Sequence, residues 1–397
     1  MEWIFDGIGT AILTLIVGFL TGGTVGYKIG INKNTVKQKQ KSGDNSQQIQ
    51  AQSVTIINSG INEKRAREIC QEVSLQLKER YTQDAIEIAN ARVSEFENRL
   101  LPKMCAVEGA LEAFADPGFQ LLLLEAQKRA ASTERPADYD LLSELLIHRF
   151  QKGSNRITRS AISRAVEIVD EISDEALLGL TVLHVISRFS PASRSVHEGL
   201  DFWNDSFGRL LYATLPIGKD WLDHLDILDT IRIDDTNGLK KIDEFYPKHL
   251  SVCIDVGIKK ESENYDRAQE IIRNAGLPAD ILIVENELNV DYMRVNVTDK
   301  SDIDSLVFLD SSGNVIGPIA PFQKEALRSI YDLYVDDDNI RQQNMTRFME
   351  EWNKRSNLKL VRDWWDNIEV GIQITSVGRV LAHSNAQRCD KAFPPLD

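Results

Sequence analysis

YDLLSELLIHRFQ, residues 139–151, places Leu141, Leu142, Leu145, Leu146 and Phe150 on one face at three- and four-residue steps, the period of an amphipathic helix. The same period runs outward in both directions, through Met104 to Ala115, Phe119 to Ala131, Ile157 to Ile172 and Ala176 to Phe189. Pro117, Pro136, Gly153 and Pro191 punctuate these runs, and Ser173 before Asp174 and Glu175 makes an N-cap with acids in the first turn. Residues 103–235 therefore read as a helical bundle. Leu121 to Leu124 do not begin a membrane span, because Glu125, Lys128 and Arg129 follow too soon.

Upstream, Asn62 can cap a helix in which Ile69, Val73, Leu77, Tyr81, Ala85, Ala89, Val93, Phe96 and Leu100 recur before Pro102. About 40 such residues would reach roughly 60 Å at the helical rise. The expectation is an amphipathic helical stalk over 61–102; the alternative is a helix packed on its own domain. The steps are nearly all of four, so a regular coiled coil is not specified.

The N-terminus reads differently. DGIGTAILTLIVGFLTGGTVGYK, residues 6–28, has no charge between its end residues. Residues 7–27 would form a helix of roughly 31 Å, which matches a hydrocarbon core of about 30 Å. Thr10, Thr14, Gly18, Gly22, Gly26 and Gly30 recur every fourth position, a small-residue face that lets backbones approach closely in lipid, and they are the candidate self-association residues. Residues 1–31 are thus expected to be a single-pass transmembrane anchor. Lys28, Lys33, Lys37, Lys39 and Lys41 follow the span, and Glu2 and Asp6 precede it. By the positive-inside rule the short N-terminus lies outside a bacterial inner (plasma) membrane and the body in the cytoplasm. Acidic residues in place of a basic n-region argue against a cleaved signal peptide.

Residues 32–60 are rich in Gln, Ser and Asn, as in a polar linker. Ile49, Ala51, Val54 and Ile56 add a weak strand pattern that could pair between chains. Residues 236–397 read as an α+β C-terminal domain. Ile281 to Val284, Met293 to Val297 and Leu306 to Leu309 are strand-like, and Asp310 to Asn314 form a turn into Val315 and Ile316. Helices follow at Gln323 to Tyr334 and Ile340 to Lys354; Val370 to Thr375 then alternates like a strand, with Thr375 capping a last helix. The fold class is mainly α: one N-terminal transmembrane helix, a long stalk, and a helical bundle with a small hairpin or winged-helix-like α+β part.

With 46 basic and 60 acidic residues the net charge is −14, and no clustered basic surface lies beyond the membrane-proximal lysines, which argues against a nucleic-acid partner. Cys70, Cys105, Cys253 and Cys389 form no CxxC, so neither disulfide nor structural zinc is expected. His148 and His184 sit in apolar helices, and His197, His224, His249 and His383 are scattered, each read as structural. Asp220, Asp223, Asp226 and Asp229 drift around a helix as a solvated face, and Asp336 to Asn339 lacks EF-hand spacing. No phosphate-loop, dinucleotide or nucleophile-elbow motif occurs. No catalytic residue, metal or cofactor is assigned.

The segment IQITSVGRVLAHSNA (372–386) resembles the closing segment of bacterial abortive-infection proteins of the Abi-alpha type and related uncharacterised families. ADYDLLSELLIHRF (137–150), the helix near ITRSAISRAVEIVDEIS (157–173) and ALLGLTVLHVI (176–186) are similar to their helical core. GDNSQQIQAQSVTI (43–56) resembles a segment that precedes effector domains in prokaryotic defence proteins. The resemblance covers about half the chain and implies an anti-phage setting, with the bilayer, further copies of the chain and a soluble defence-system protein as partners. Two functions fit: a self-associating membrane effector, or a tethered scaffold or sensor. An enzyme whose site is assembled from distant residues is a third, less favoured class.

Overall fold

The computed structural model describes residues 61–78, 82–249, 254–297, 300–309 and 315–396, and three short strands, Glu2–Phe5, Thr14–Leu15 and Lys28–Ile31. Apart from those strands, the expected span at 7–27 and the linker at 32–60 lie outside the described residues. No described helix is long and apolar enough to cross a membrane. The described chain is mainly helical with small sheets, and it divides into two compact units.

The helical unit draws on residues 35–184, 218–232 and 373–397. Its first two helices, Glu63–Lys78 and Gln83–Cys105, fold back on one another, with Arg67 Nη1 donating to Asn98 Oδ1 at 3.5 Å. The expected stalk is therefore not a single 40-residue rod. Ile69, Cys70 and Val73 on one helix and Val93, Phe96 and Leu100 on the other are buried, so the four-step stripe serves packing within one chain. Pro102 does not end the second helix, which runs three residues further. Gly109, at φ 73°, then turns the chain into a short 3₁₀ segment, Ala110–Ala115, where a regular helix was expected.

Helices Pro117–Ser132, Pro136–Lys152, Arg156–Glu167 and Asp174–Arg188 follow the predicted runs closely. Pro117 and Pro136 stand at first helical turns, where a missing N–H costs nothing. Asp116 caps Phe119 N at 2.7 Å, Asn155 caps Ile157 N at 2.9 Å, and Ser173 Oγ accepts from Ala176 N at 3.2 Å. The last helix, Ser376–Cys389, packs on the 136–152 and 156–167 helices. It thus belongs to the bundle rather than to the α+β part, and the boundary expected at 235/236 is replaced by units that are discontinuous in sequence.

The second unit takes residues 1–34, 185–217 and 233–372. A three-stranded antiparallel sheet places Tyr292–Val295 between Ile258–Lys259 and Ile283–Glu285. Leu306–Leu309 and Val315–Pro318 form the predicted hairpin, with a register shift between Val315 and Gly317. Ile258, Ala268, Ile272, Leu282, Val295 and Leu327 are among the core residues between the strands and the helices Glu263–Asn274 and Pro321–Tyr331. Helices Asp338–Asn353 and Ser356–Trp365 bury Trp352, Trp364 and Trp365, whose indole N–H groups reach the carbonyls of Leu358, Pro216 and Lys240. The Glu287 carboxylate accepts from Val196 N at 2.6 Å and His197 N at 3.2 Å, occupying the N-terminus of helix Val196–Leu210.

Candidate functional site

Of the small-residue stripe, Thr14 and Gly30 are opposite each other in the strands Thr14–Leu15 and Lys28–Ile31. Thr10, Gly18, Gly22 and Gly26 lie outside the described residues.

Within the helical unit three histidines distant in sequence come together. His148, His184 and His383 are buried, with ring centroids 5.7 Å apart for His148 and His383 and 5.6 Å for His184 and His383. Thr375 starts the last helix by accepting from Gly378 N at 3.1 Å, which sets His383, Ser384 and Gln387 against the bundle. Gln387 turns its amide nitrogen to the Phe393 and Pro394 carbonyls, at 3.2 and 2.7 Å, so its oxygen must accept from His148 Nε2 at 2.7 Å. In the neutral ring His148 Nδ1 then accepts from the Ser384 hydroxyl at 2.9 Å. His383 Nε2 donates to the Pro394 carbonyl at 2.9 Å, and its Nδ1 faces His184 Nε2 at 3.4 Å. Burial pushes His148 below the usual imidazole range, against the opposing pull of Gln387 and Glu144.

The geometry suits hydrogen bonding rather than ligation. The Nε2 atoms of His148 and His383 are committed to oxygen acceptors, and among the described residues no group of His, Cys, Asp and Glu could hold a metal ion. The cluster is a buried polar junction that ties residues 393–394 to the bundle. Asn385 extends it by donating to Thr181 Oγ1 at 2.8 Å. Sequence reading treated each histidine as structural but did not bring the three together, since His184 and His383 are 199 residues apart. The available signal was HSN at 383–385, three hydrogen-bonding side chains in succession within the last helix.

One turn before His148, Glu144 is 3% exposed and accepts from Lys103 Nζ at 2.9 Å and Lys391 Nζ at 2.6 Å. Lys103 also reaches Asp140 at 3.0 Å, and Arg99 joins Asp140 to Glu95. Burial alone would raise the Glu144 carboxyl; the two lysines overcome it and hold the group below its ordinary range.

Glu97 behaves oppositely. Burial raises it to about 7, although Gln127 Nε2 donates to it at 2.9 Å. The folded state holds this proton where the unfolded chain has lost it, so stability falls as pH rises between the ordinary carboxylate range and about 7. Glu97→Gln is expected to remove that slope and to stabilise the protein by ~1–3 kcal/mol at pH 8 but not at pH 4. Urea denaturation at the two pH values checks this, and an equal change at both would contradict it. The adjoining Cys70 is a buried thiol with a raised pKa, unsuited to nucleophilic chemistry.

The remaining sequence candidates have local roles. Asp226 and Asp229 face Arg232 at 3.6 and 2.8 Å, and helix Asp220–Ile227 ends before Asp229. Asp337 caps helix Asp338–Asn353, while Asp336 and Asp338 pair with Arg341. His249 and Cys253 supply no described side chains. In the second unit an open groove of about 420 Å³ is lined by Asp243, Glu244, Met345, Met349, Glu350 and Arg362, with Arg362 bonded to Asp243 at 3.2 Å.

The model of a protein family of unknown function matches residues 60–394. The chain belongs to this family. The match begins where the polar linker was expected to end, and it spans both compact units. No curated protein and no solved structure matches the chain.

Proposed function

We propose that this chain is a membrane-anchored, self-associating effector of the bacterial abortive-infection type, in which N-terminal spans pack face to face in the bilayer. The observation that carries the reading is the charge-free segment 7–27 with its stripe of Thr10, Thr14, Gly18, Gly22, Gly26 and Gly30. A family match that starts at residue 60 supports it, because the expected anchor and linker then lie outside the stretch that the family shares. Membrane disruption by the assembled spans is the proposed output. Changing Gly18, Gly22 and Gly26 together to leucine should reduce crosslinked oligomers and cell toxicity at least tenfold at equal expression, since bulky side chains hold the backbones apart. Persistence of both would end the proposal.

The open groove lined by Met345 and Met349 favours a second reading, a tethered scaffold that recruits a soluble partner. Replacing residues 1–30 with an unrelated single-span anchor separates the two. A scaffold keeps its activity in that chimera, and an assembly of packed spans loses it.

A further inference from the structure

In the second unit, two arginines share a largely buried position. Arg294, 4% exposed on strand Tyr292–Val295, donates from Nη1 to the Val297 carbonyl at 3.3 Å and from Nη2 to the Arg194 carbonyl. Both acceptors are neutral carbonyls. The Arg194 guanidinium lies nearby with Nε and Nη2 buried and bonded to nothing. Those two nitrogens form one edge of the planar fork, the edge that presents parallel N–H groups to two oxygens of a single oxyanion. Asp302, 4% exposed, is the described carboxylate whose charge acts on Arg194, and it does not bond that edge. Among the described residues, the Arg194 edge is thus a buried pair of guanidinium N–H groups without an acceptor, with a second guanidinium beside it. Such an edge is costly to bury unless an acceptor completes it.

We propose that the Arg194 edge, backed by Arg294, is a binding site for a small oxyanion, a phosphate or carboxylate group held bidentate by Nε and Nη2. Its electrostatics agree: burial lowers Arg194 to about 10, Asp302 opposes that shift and Arg294 reinforces it. An arriving anion would therefore be met by two cations, with Asp302 limiting its affinity.

The test is thermal unfolding of the full chain in detergent at constant ionic strength, with chloride exchanged for inorganic phosphate or for acetate. Phosphate, acetate or both should raise the midpoint in a saturable way, and the comparison tells a phosphoryl from a carboxylate ligand. Arg194→Lys keeps the charge but lacks the fork, and should weaken the apparent affinity about tenfold or more. Asp302→Asn keeps the fork and should tighten it about tenfold; this variant decides the matter if Arg194→Lys fails to fold. No midpoint shift with either anion, or equal shifts in wild type and both variants (an adventitious ion only), overturns the proposal.

Discussion

Gly378→Val is expected to abolish cooperative folding of the helical unit. A Cβ at this position would stand 2.0 Å from the Thr230 carbonyl oxygen and 2.8 Å from its carbon, well inside contact distance. The neighbouring backbone cannot retreat easily. Thr375 N donates to Thr230 O at 3.0 Å, Thr375 Oγ1 bonds the Asp229 carbonyl at 2.7 Å, and Asp229 is already in a left-handed conformation at φ 59°. Alanine should cost more than ~3 kcal/mol and valine more again, so that little folded protein remains for a denaturation curve. Gly218→Ala is the control. Unlike the helical Gly378 it has positive φ, at 75°, but there is open space around the added methyl, so its cost should stay near ~1 kcal/mol. A loss for Gly378→Ala no larger than that for Gly218→Ala would show that the close approach to Thr230 does not decide the effect.

Lys103→Met should destabilise the same unit by ~2–4 kcal/mol at pH 7. The substitution keeps the aliphatic stem and removes the ammonium that meets Glu144 at 2.9 Å and Asp140 at 3.0 Å. Glu144 would keep Lys391 alone, a partner whose side chain is 65% exposed, and breaking one side of a buried ion pair leaves charge poorly compensated. The pH sign follows from the lowered folded pKa of Glu144. Its favourable contribution is present above the ordinary carboxylate range and disappears as pH falls through the folded value. The wild type and variant should therefore converge in acid. Urea melts at pH 7 and pH 3 give the comparison, and a constant gap would assign the loss to packing instead.

Local chemistry made much of this fold legible. Pro117, Pro136, Ser173 and Thr375 all sit at helix starts as their residue types predict, because capping and proline geometry depend on near neighbours. The hairpin at Leu306–Leu309 was equally visible in a short apolar run followed by turn residues. What failed was the reading of partnership. The stripe from Ile69 to Leu100 states that a face is buried but not against what, so a rod and a folded-back pair were both compatible with it. The histidine cluster was hidden for a related reason. Its members lie on three helices, and no pattern within one helix reveals that His148 and His184 both meet His383.

The helix that carries His383 also sets a timetable. During synthesis, the surface of the 136–152 and 156–167 helices that it covers emerges first, and His184 waits 199 residues for His383. At roughly 5–20 residues per second that interval is on the order of 10–40 s. For that time the nascent unit exposes an apolar surface with its polar junction half built. Chaperone demand, and the effect of slowing translation downstream of residue 184, should therefore fall on this unit before any mature contact exists to protect it.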